Sequence, residues 1–333
     1  MLESPPTSRD PGYPRLLGDV GGTNARWAWQ AGPGDGPTHV RTLPAAEHAS
    51  IAECIAAYLR AEGLGAPRRA AFGIATAVTG DRVQMTNHPW SFSITELQRT
   101  LGVQHLRVLN DFEALAHAVP VLRADDLSQV GQGSAAPQAS LAVIGPGTGL
   151  GVSGLVPDGN GGWRVVVGEG GHVTLPAADA REASLIAVLR ERFGHASAER
   201  ALSGPGLVNL YEAACTLDGE TPASLEPSQV LEAAFAAGEA REPHCVEAVT
   251  TFAALLGTVA GNLALTLGAR GGVFIGGGIV PRLGARFAEL PFRERFVDKG
   301  RFRAYLEAIP TWVITADSPA LRGAARVLDT EGA

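Results

Sequence analysis

Gly18-Asp19-Val20-Gly21-Gly22-Thr23-Asn24-Ala25-Arg26 lies between the apolar pair Leu16-Leu17 and the aromatic run Trp27-Ala28-Trp29. The pattern predicts a strand over 16–20, a glycine turn and a second strand over 26–30. Backbone N–H groups of such a turn can face phosphate oxygens. Asp19, at the strand end, could then hold Mg²⁺ through water, and Thr23 could donate a hydroxyl hydrogen bond. The same residues read equally well as an ordinary Gly-Gly hairpin with Asp19 as a turn residue.

Working outward, glycine makes up 42 of 333 residues, roughly 13% against an average of about 7%. The excess falls in clusters at 18–22, 145–151, 168–171 and 271–278, each beside an apolar, strand-like segment. Glycine there permits tight turns and close backbone approach to a ligand. Gly145-Pro146-Gly147-Thr148-Gly149-Leu150-Gly151 sits between predicted strands at 140–144 and 151–156. A dinucleotide fold needs G-x-G-x-x-G opening a helix. Position 150 is leucine and a strand follows, which counts against a nicotinamide site. A second phosphate hairpin with Thr148 as donor fits better. Two halves that each open with strand, glycine turn and strand point to a duplicated α/β fold.

Other polar groups carry candidate chemistry. Asn110-Asp111 ends the apolar segment 106–109 and precedes a helix over 111–118, where open α/β folds place ligands. The carboxylate could accept a proton from a hydroxyl nucleophile; the competing reading is a plain N-cap. Gly168-Glu169-Gly170-Gly171-His172 offers a carboxylate and an imidazole to a polyhydroxylated ligand, or is a solvated loop. Glu199 marks a helix-to-turn boundary. Gly276-Gly277-Gly278 permits close approach of an adenosine, or serves a crowded strand–helix turn. Ser50 and Glu53 predict a capping box for a helix over 50–62, and the polar segment 121–139 reads as a connector.

Composition excludes several classes. Lys299 is the sole lysine among 27 cations and has no glycine-rich run ahead of it. A Walker A loop and a protein-kinase site both need a placed lysine. The net charge of −7 and the lack of a basic block argue against a nucleic-acid partner. Three scattered cysteines fit a reducing cytosol. Residues 252–269 are apolar enough to suggest a membrane span, but Thr258, Asn262 and Thr266 interrupt them without flanking anchors. A buried core helix, and no membrane association, is the expectation. The N-terminus reads as a disordered leader with no export signal.

Seven strings, GDVGGTNAR, TGDRVQMTNHPWSFSI, LNDFEALAHAVP, GPGTGLGV, GEGGHV, SAERALSGPGLVNLY and GGVFIGGGIVPR, occur in that order. Together they resemble the bacterial glucokinase family, within the superfamily of sugar kinases, actin and heat-shock chaperone ATPases. The resemblance runs from Leu16 to about Leu328. It implies a two-domain, duplicated ribonuclease-H-like fold of the actin and hexokinase type, with a cleft between the domains. The boundaries expected are a leader at 1–14, a smaller α/β domain at 15–121 plus 310–330, and a larger one at 122–309.

The resemblance further implies ATP-dependent, Mg²⁺-dependent phosphorylation of glucose at its 6-hydroxyl by a cytoplasmic homodimer. Asp111 would be the general base, and Asn110, Glu169, His172 and Glu199 would hold the other sugar hydroxyls. Gly18, Asp19, Gly21, Gly22, Thr23 and Asn24, with Gly147, Thr148 and Gly149, would cradle the phosphates. Gly276, Gly277 and Gly278 would lie against the nucleotide. The alternatives are a kinase for another hexose or amino sugar, and a glucose sensor without catalysis. Glu113, two positions past Asp111, is a departure that would alter the pKa of Asp111 if both faced the cleft.

Overall fold

β1 (Arg15–Val20) carries apolar residues toward both of its faces, and helices cover both. It belongs to a first unit that runs up to Leu122 and resumes at Ala316. Along the chain follow β2 (Asn24–Gln30), β3 (Thr38–Pro44), α1 (Ile51–Ala61), β4 (Arg69–Ile74), β5 (Arg82–Gln84) and β6 (Ser91–Ser93). Next come α2 (Ile94–Leu101), β7 (His105–Asn110), α3 (Asp111–Ala118) and, after the second unit, the C-terminal helix Pro319–Thr330. The computed structural model describes residues 12–330, so most of the leader expected at 1–14 lies outside the described residues. Tyr13, expected within that leader, is buried, with the Arg15 guanidinium 4.0 Å from its ring centroid.

The sheet order is β3-β2-β1-β4-β7, antiparallel across β3-β2-β1 and parallel across β1-β4-β7. Alternation sorts the side chains. Leu16, Phe72 and Ile74 join Trp27, Ile55 and Tyr58 in the core under α1 and α2. Leu17, Ala71 and Leu109 pack with Ala324 and Leu321 of the C-terminal helix on the other face. That helix crosses α3 so closely that a Cβ on Gly323 would fall 1.7 Å from the Ala114 carbonyl oxygen. Buried Arg15 ties it down, donating to Asp329 Oδ1 at 2.5 Å. Ser50 caps α1 as expected, accepting from Glu53 N–H at 3.2 Å, whereas the Glu53 carboxylate accepts from Ala49 N–H.

The second unit, Arg123–Thr315, repeats the plan. It comprises β8 (Leu127–Val130), β9 (Leu141–Pro146), β10 (Leu150–Pro157), β11 (Trp163–Val167), α4 (Ala180–Phe193), α5 (Gly204–Leu217) and α6 (Pro227–Ala234). It continues with α7 (Pro243–Leu267), β12 (Gly272–Ile275), α8 (Val280–Leu283), α9 (Phe292–Val297) and β13 (Thr311–Ile314). The order β11-β10-β9-β12-β13-β8 contains the same antiparallel meander followed by parallel strands, extended by β8. The expected duplication of an α/β fold is therefore present in the topology.

Two expectations need correction. The segment 121–139 is not only a connector, because β8 within it pairs antiparallel with β13. Residues 311–314, expected in the smaller domain, are β13, hydrogen-bonded between β12 and β8 of the second unit. The apolar stretch that resembles a membrane span lies in α7, and 72% of its most apolar window is buried in the core of this unit. Gly257 and Gly261 let α9 approach α7, since a Cβ on either would meet the Phe292 or Phe296 carbonyl oxygen at 2.2 or 2.6 Å.

Candidate active site

In the first unit the candidate residues collect at the carboxyl ends of the parallel strands. Asp19 is the penultimate residue of β1 and Asn110 ends β7, two strands apart with β4 between, roughly 10 Å across the sheet. The Asp19 side chain keeps 31% of its surface, with Arg26 Nη1 3.9 Å away across the β1–β2 pair. Desolvation pushes its pKa above the ordinary carboxylate value, and the Arg26 charge opposes the shift. A divalent cation would reverse that shift. The described residues hold no group of three or more metal-ligating side chains. A single carboxylate at a hairpin mouth would fit Mg²⁺, a cation that keeps several waters and is commonly held by one or two carboxylates together with substrate phosphates.

The turn after β1 is closed by Gly21, whose N–H donates to Asn24 O at 2.9 Å. Gly22 rests on Asn87, where a Cβ would come within 3.0 Å of the Asn87 carbonyl oxygen. Thr23 and Asn24 are exposed at the tip. Gly18 needs correction as a phosphate residue. It is buried inside β1, and a Cβ there would lie 2.4 Å from the Trp27 ring and 2.8 Å from Phe72. Its glycine serves the core.

Asn110 caps α3, its Oδ1 accepting from Phe112 N–H at 2.9 Å and Glu113 N–H at 3.3 Å, while Nδ2 donates to Thr76 O at 3.2 Å. Asp111 is the first helical residue, and its Oδ1 accepts from Phe112 N–H at 3.0 Å. A helix N-terminus favours a charged carboxylate. The N-cap reading holds for Asn110, and the cap places Asp111 at the start of α3. Gly73 makes room, since a Cβ there would stand 3.3 Å from Asp111 Cα and 3.0 Å from Ala114 Cβ. Glu113, two positions past Asp111, accepts from Arg107 Nη2 at 3.3 Å.

The second unit carries the other candidate residues. Gly147 N–H closes the β9–β10 turn on Gly149 O at 2.8 Å, and Gly204 N–H, at the start of α5, donates to Gly147 O. Thr148 is exposed at the turn's tip. Glu199 reaches this hairpin, its Oε2 accepting from Leu150 N–H at 2.9 Å. A Cβ on Gly149 would fall 2.4 Å from that same oxygen. The loop bearing Glu169 and His172 packs on β10 through Gly170 and Gly171, whose added Cβ atoms would meet Val152 and the Leu150 carbonyl oxygen. Thr174 bridges antiparallel to Ser197, which carries His172 toward the turn of Glu199. Both Glu169 and His172 are exposed. Gly277, at φ +78°, lies against Pro146, and Gly276 N–H donates to Ile144 O. The loop 276–278 thus adjoins the 145–149 hairpin.

Gly73, Thr76 and Gly204 were not singled out from the sequence, although Asn87 and Gly204 lie within the quoted strings. Their signal is tertiary: each meets a partner distant along the chain.

Two α/β units of one topology, each with a glycine hairpin and polar residues gathered at strand ends, define the architecture of the actin- and hexokinase-type sugar kinases. A sequence profile for glucokinase matches residues 16–331. A glucokinase from Aromatoleum aromaticum is 56% identical over 325 residues, covering 97% of each chain. Another from Chromobacterium violaceum is 51% identical over 313 residues, covering 94% of this chain and 88% of that one. The crystal structure of a glucokinase from an Antarctic psychrotroph matches with a TM-score of 0.85 at 35% identity, over 95% of this chain and 99% of that one. The chain belongs to the glucokinase family.

Proposed function

We propose that the protein transfers the γ-phosphoryl group of ATP to the 6-hydroxyl of glucose, giving glucose 6-phosphate and ADP. The observation that carries this reading is the carboxylate of Asp111, set at the first turn of α3 where β7 ends, with Asn110 fixing the helix start. Asp111 orients the 6-hydroxyl and accepts its proton as the phosphoryl group transfers. Phosphoryl transfer needs little covalent chemistry, so the remaining work is positioning and charge neutralisation. Glu169, His172 and Glu199 hold sugar hydroxyls, with Glu199 anchored on Leu150 N–H. Gly22, Thr23 and Asn24 in one unit, and Gly147, Thr148 and Gly149 in the other, present the phosphate-side turns, and 276–278 borders the nucleotide.

Asp19 would hold Mg²⁺ through water, and the ion would supply charge neutralisation on the phosphates. The one lysine is committed elsewhere, donating from Nζ to Thr258 O at 3.2 Å. The acidic net charge supports a small-molecule substrate rather than nucleic acid, and the family resemblance supports a cytoplasmic homodimer feeding glycolysis.

The test is a coupled assay with glucose, ATP and Mg²⁺ beside mannose, fructose, glucosamine and N-acetylmannosamine. Glucose turnover that exceeds the others and vanishes on chelation is expected. Preference for another sugar reassigns the substrate, and glucose binding without turnover on any sugar makes the protein a sensor.

A further inference from the structure

Thr76 follows β4, between the two halves of the first unit's site, and every polar group it has is engaged. Its N–H donates to Ile74 O at 2.8 Å. Its carbonyl accepts from Asn110 Nδ2 at 3.2 Å. Its hydroxyl lies 3.0 Å from Gln84 O and 3.2 Å from Thr86 Oγ1. A hydroxyl has one proton to give, so Thr76 donates to the Gln84 carbonyl and accepts from Thr86.

These bonds run in two directions. Toward β7, Asn110 has its amide oxygen taken by two helix N–H groups, so Nδ2 must find its acceptor elsewhere, and Thr76 O provides it. That bond fixes the amide plane of the residue that starts α3 and places Asp111. Toward β1, the hydroxyl fastens the chain at 84–86, and the next residue, Asn87, is the surface on which Gly22 rests. Threonine suits the second task, because its branched Cβ restricts χ1 and holds the hydroxyl in one direction.

We propose that Thr76 is a positioning residue for the transfer, with its main chain aiming the Asn110–Asp111 corner and its hydroxyl fastening the segment that supports the Gly21–Asn24 turn. The proposal rests on the reading of Asp111 as the base.

Steady-state kinetics on Thr76→Val and Thr76→Ser test it. Thr76→Val keeps the shape and removes the hydroxyl. It is expected to lower kcat/KM for glucose about tenfold, mainly through kcat, with the thermal midpoint within a few degrees of the parent. Thr76→Ser is expected to recover activity to within about twofold of the parent. Parental kcat/KM in Thr76→Val, or a serine variant as impaired as the valine one, overturns the proposal. Should Thr76→Val fail to fold, Thr86→Val removes the hydroxyl partner from an exposed residue; a fall of about threefold in kcat is then expected, and parental kinetics overturn the proposal. Asp111→Ala assayed alongside separates the two ideas. An inactive Asp111→Ala beside an unimpaired Thr76→Val removes Thr76 alone, whereas an active Asp111→Ala removes the base assignment beneath it.

Discussion

Replacing Gly149 with alanine would put a methyl carbon 2.4 Å from Glu199 Oε2, about 1 Å inside ordinary van der Waals contact. The obstructing atom is the end of a flexible side chain, so the backbone can stay and the carboxylate swings away. The movement breaks the 2.9 Å bond from Leu150 N–H that holds it. A hydrogen bond to a charged acceptor contributes about 1.5–3 kcal/mol, which at 1.4 kcal/mol per factor of ten corresponds to about 10- to 150-fold in affinity. The measurement is initial velocity across matrices of glucose and ATP concentration. Glucose KM is expected to rise at least about tenfold, while ATP KM stays within about twofold. Gly149 also belongs to the phosphate-side turn, and a second account makes it small for the phosphates rather than for Glu199. If ATP KM rises with glucose KM unchanged, that account is right and the link from Gly149 to Glu199 is refuted.

Other outcomes follow from the same geometry. Asp111→Ala should abolish turnover yet leave glucose affinity by calorimetry within a few-fold; a folded variant with near-parental kcat excludes Asp111 as the base. Gly257→Ala aims its methyl at the Phe292 carbonyl oxygen, which sits on α9 and cannot rotate aside; overpacking of this kind costs about 1–3 kcal/mol, so the thermal midpoint should fall by roughly 1–4 °C. His244 is 11% exposed. Burial alone would lower its pKa, but its bonds to Asp218 and Glu242, with Glu220 3.8 Å away, prevail and raise it. A raised folded-state pKa stabilises fully below the unfolded value of about 6.5 and is lost as pH rises through the folded value. Urea midpoints of the parent should therefore drop across that window relative to those of His244→Gln, and parallel curves would refute it.

The glycine clusters, the strand opened by Leu16 and Leu17, and the Ser50 cap were legible because each expresses local chemistry within a few residues. β8 was not, since its Leu-Ser-Gln-Val buries only Val130, and a short polar edge strand carries no period-2 signal. Gly18 and Gly149 look alike in sequence as members of glycine loops, but one is small for Trp27 and Phe72 and the other for Glu199. Such reasons are contacts between residues far apart in the chain, and no window of sequence contains both members. Asn110 shows the reverse case, where the cap and the candidate ligand are one residue and sequence reasoning set them against each other.

The first unit is discontinuous. Its sheet is complete by Asn110, yet the face bearing Leu17, Ala71 and Leu109 is covered by a helix that starts at Pro319, and buried Arg15 meets Asp329 across 314 positions. A chain made from its N-terminus must therefore hold that apolar face open while the whole of Arg123–Thr315 emerges. The second unit, contiguous in sequence, has everything it needs to fold first. The unit whose synthesis begins first is therefore expected to be the last to close.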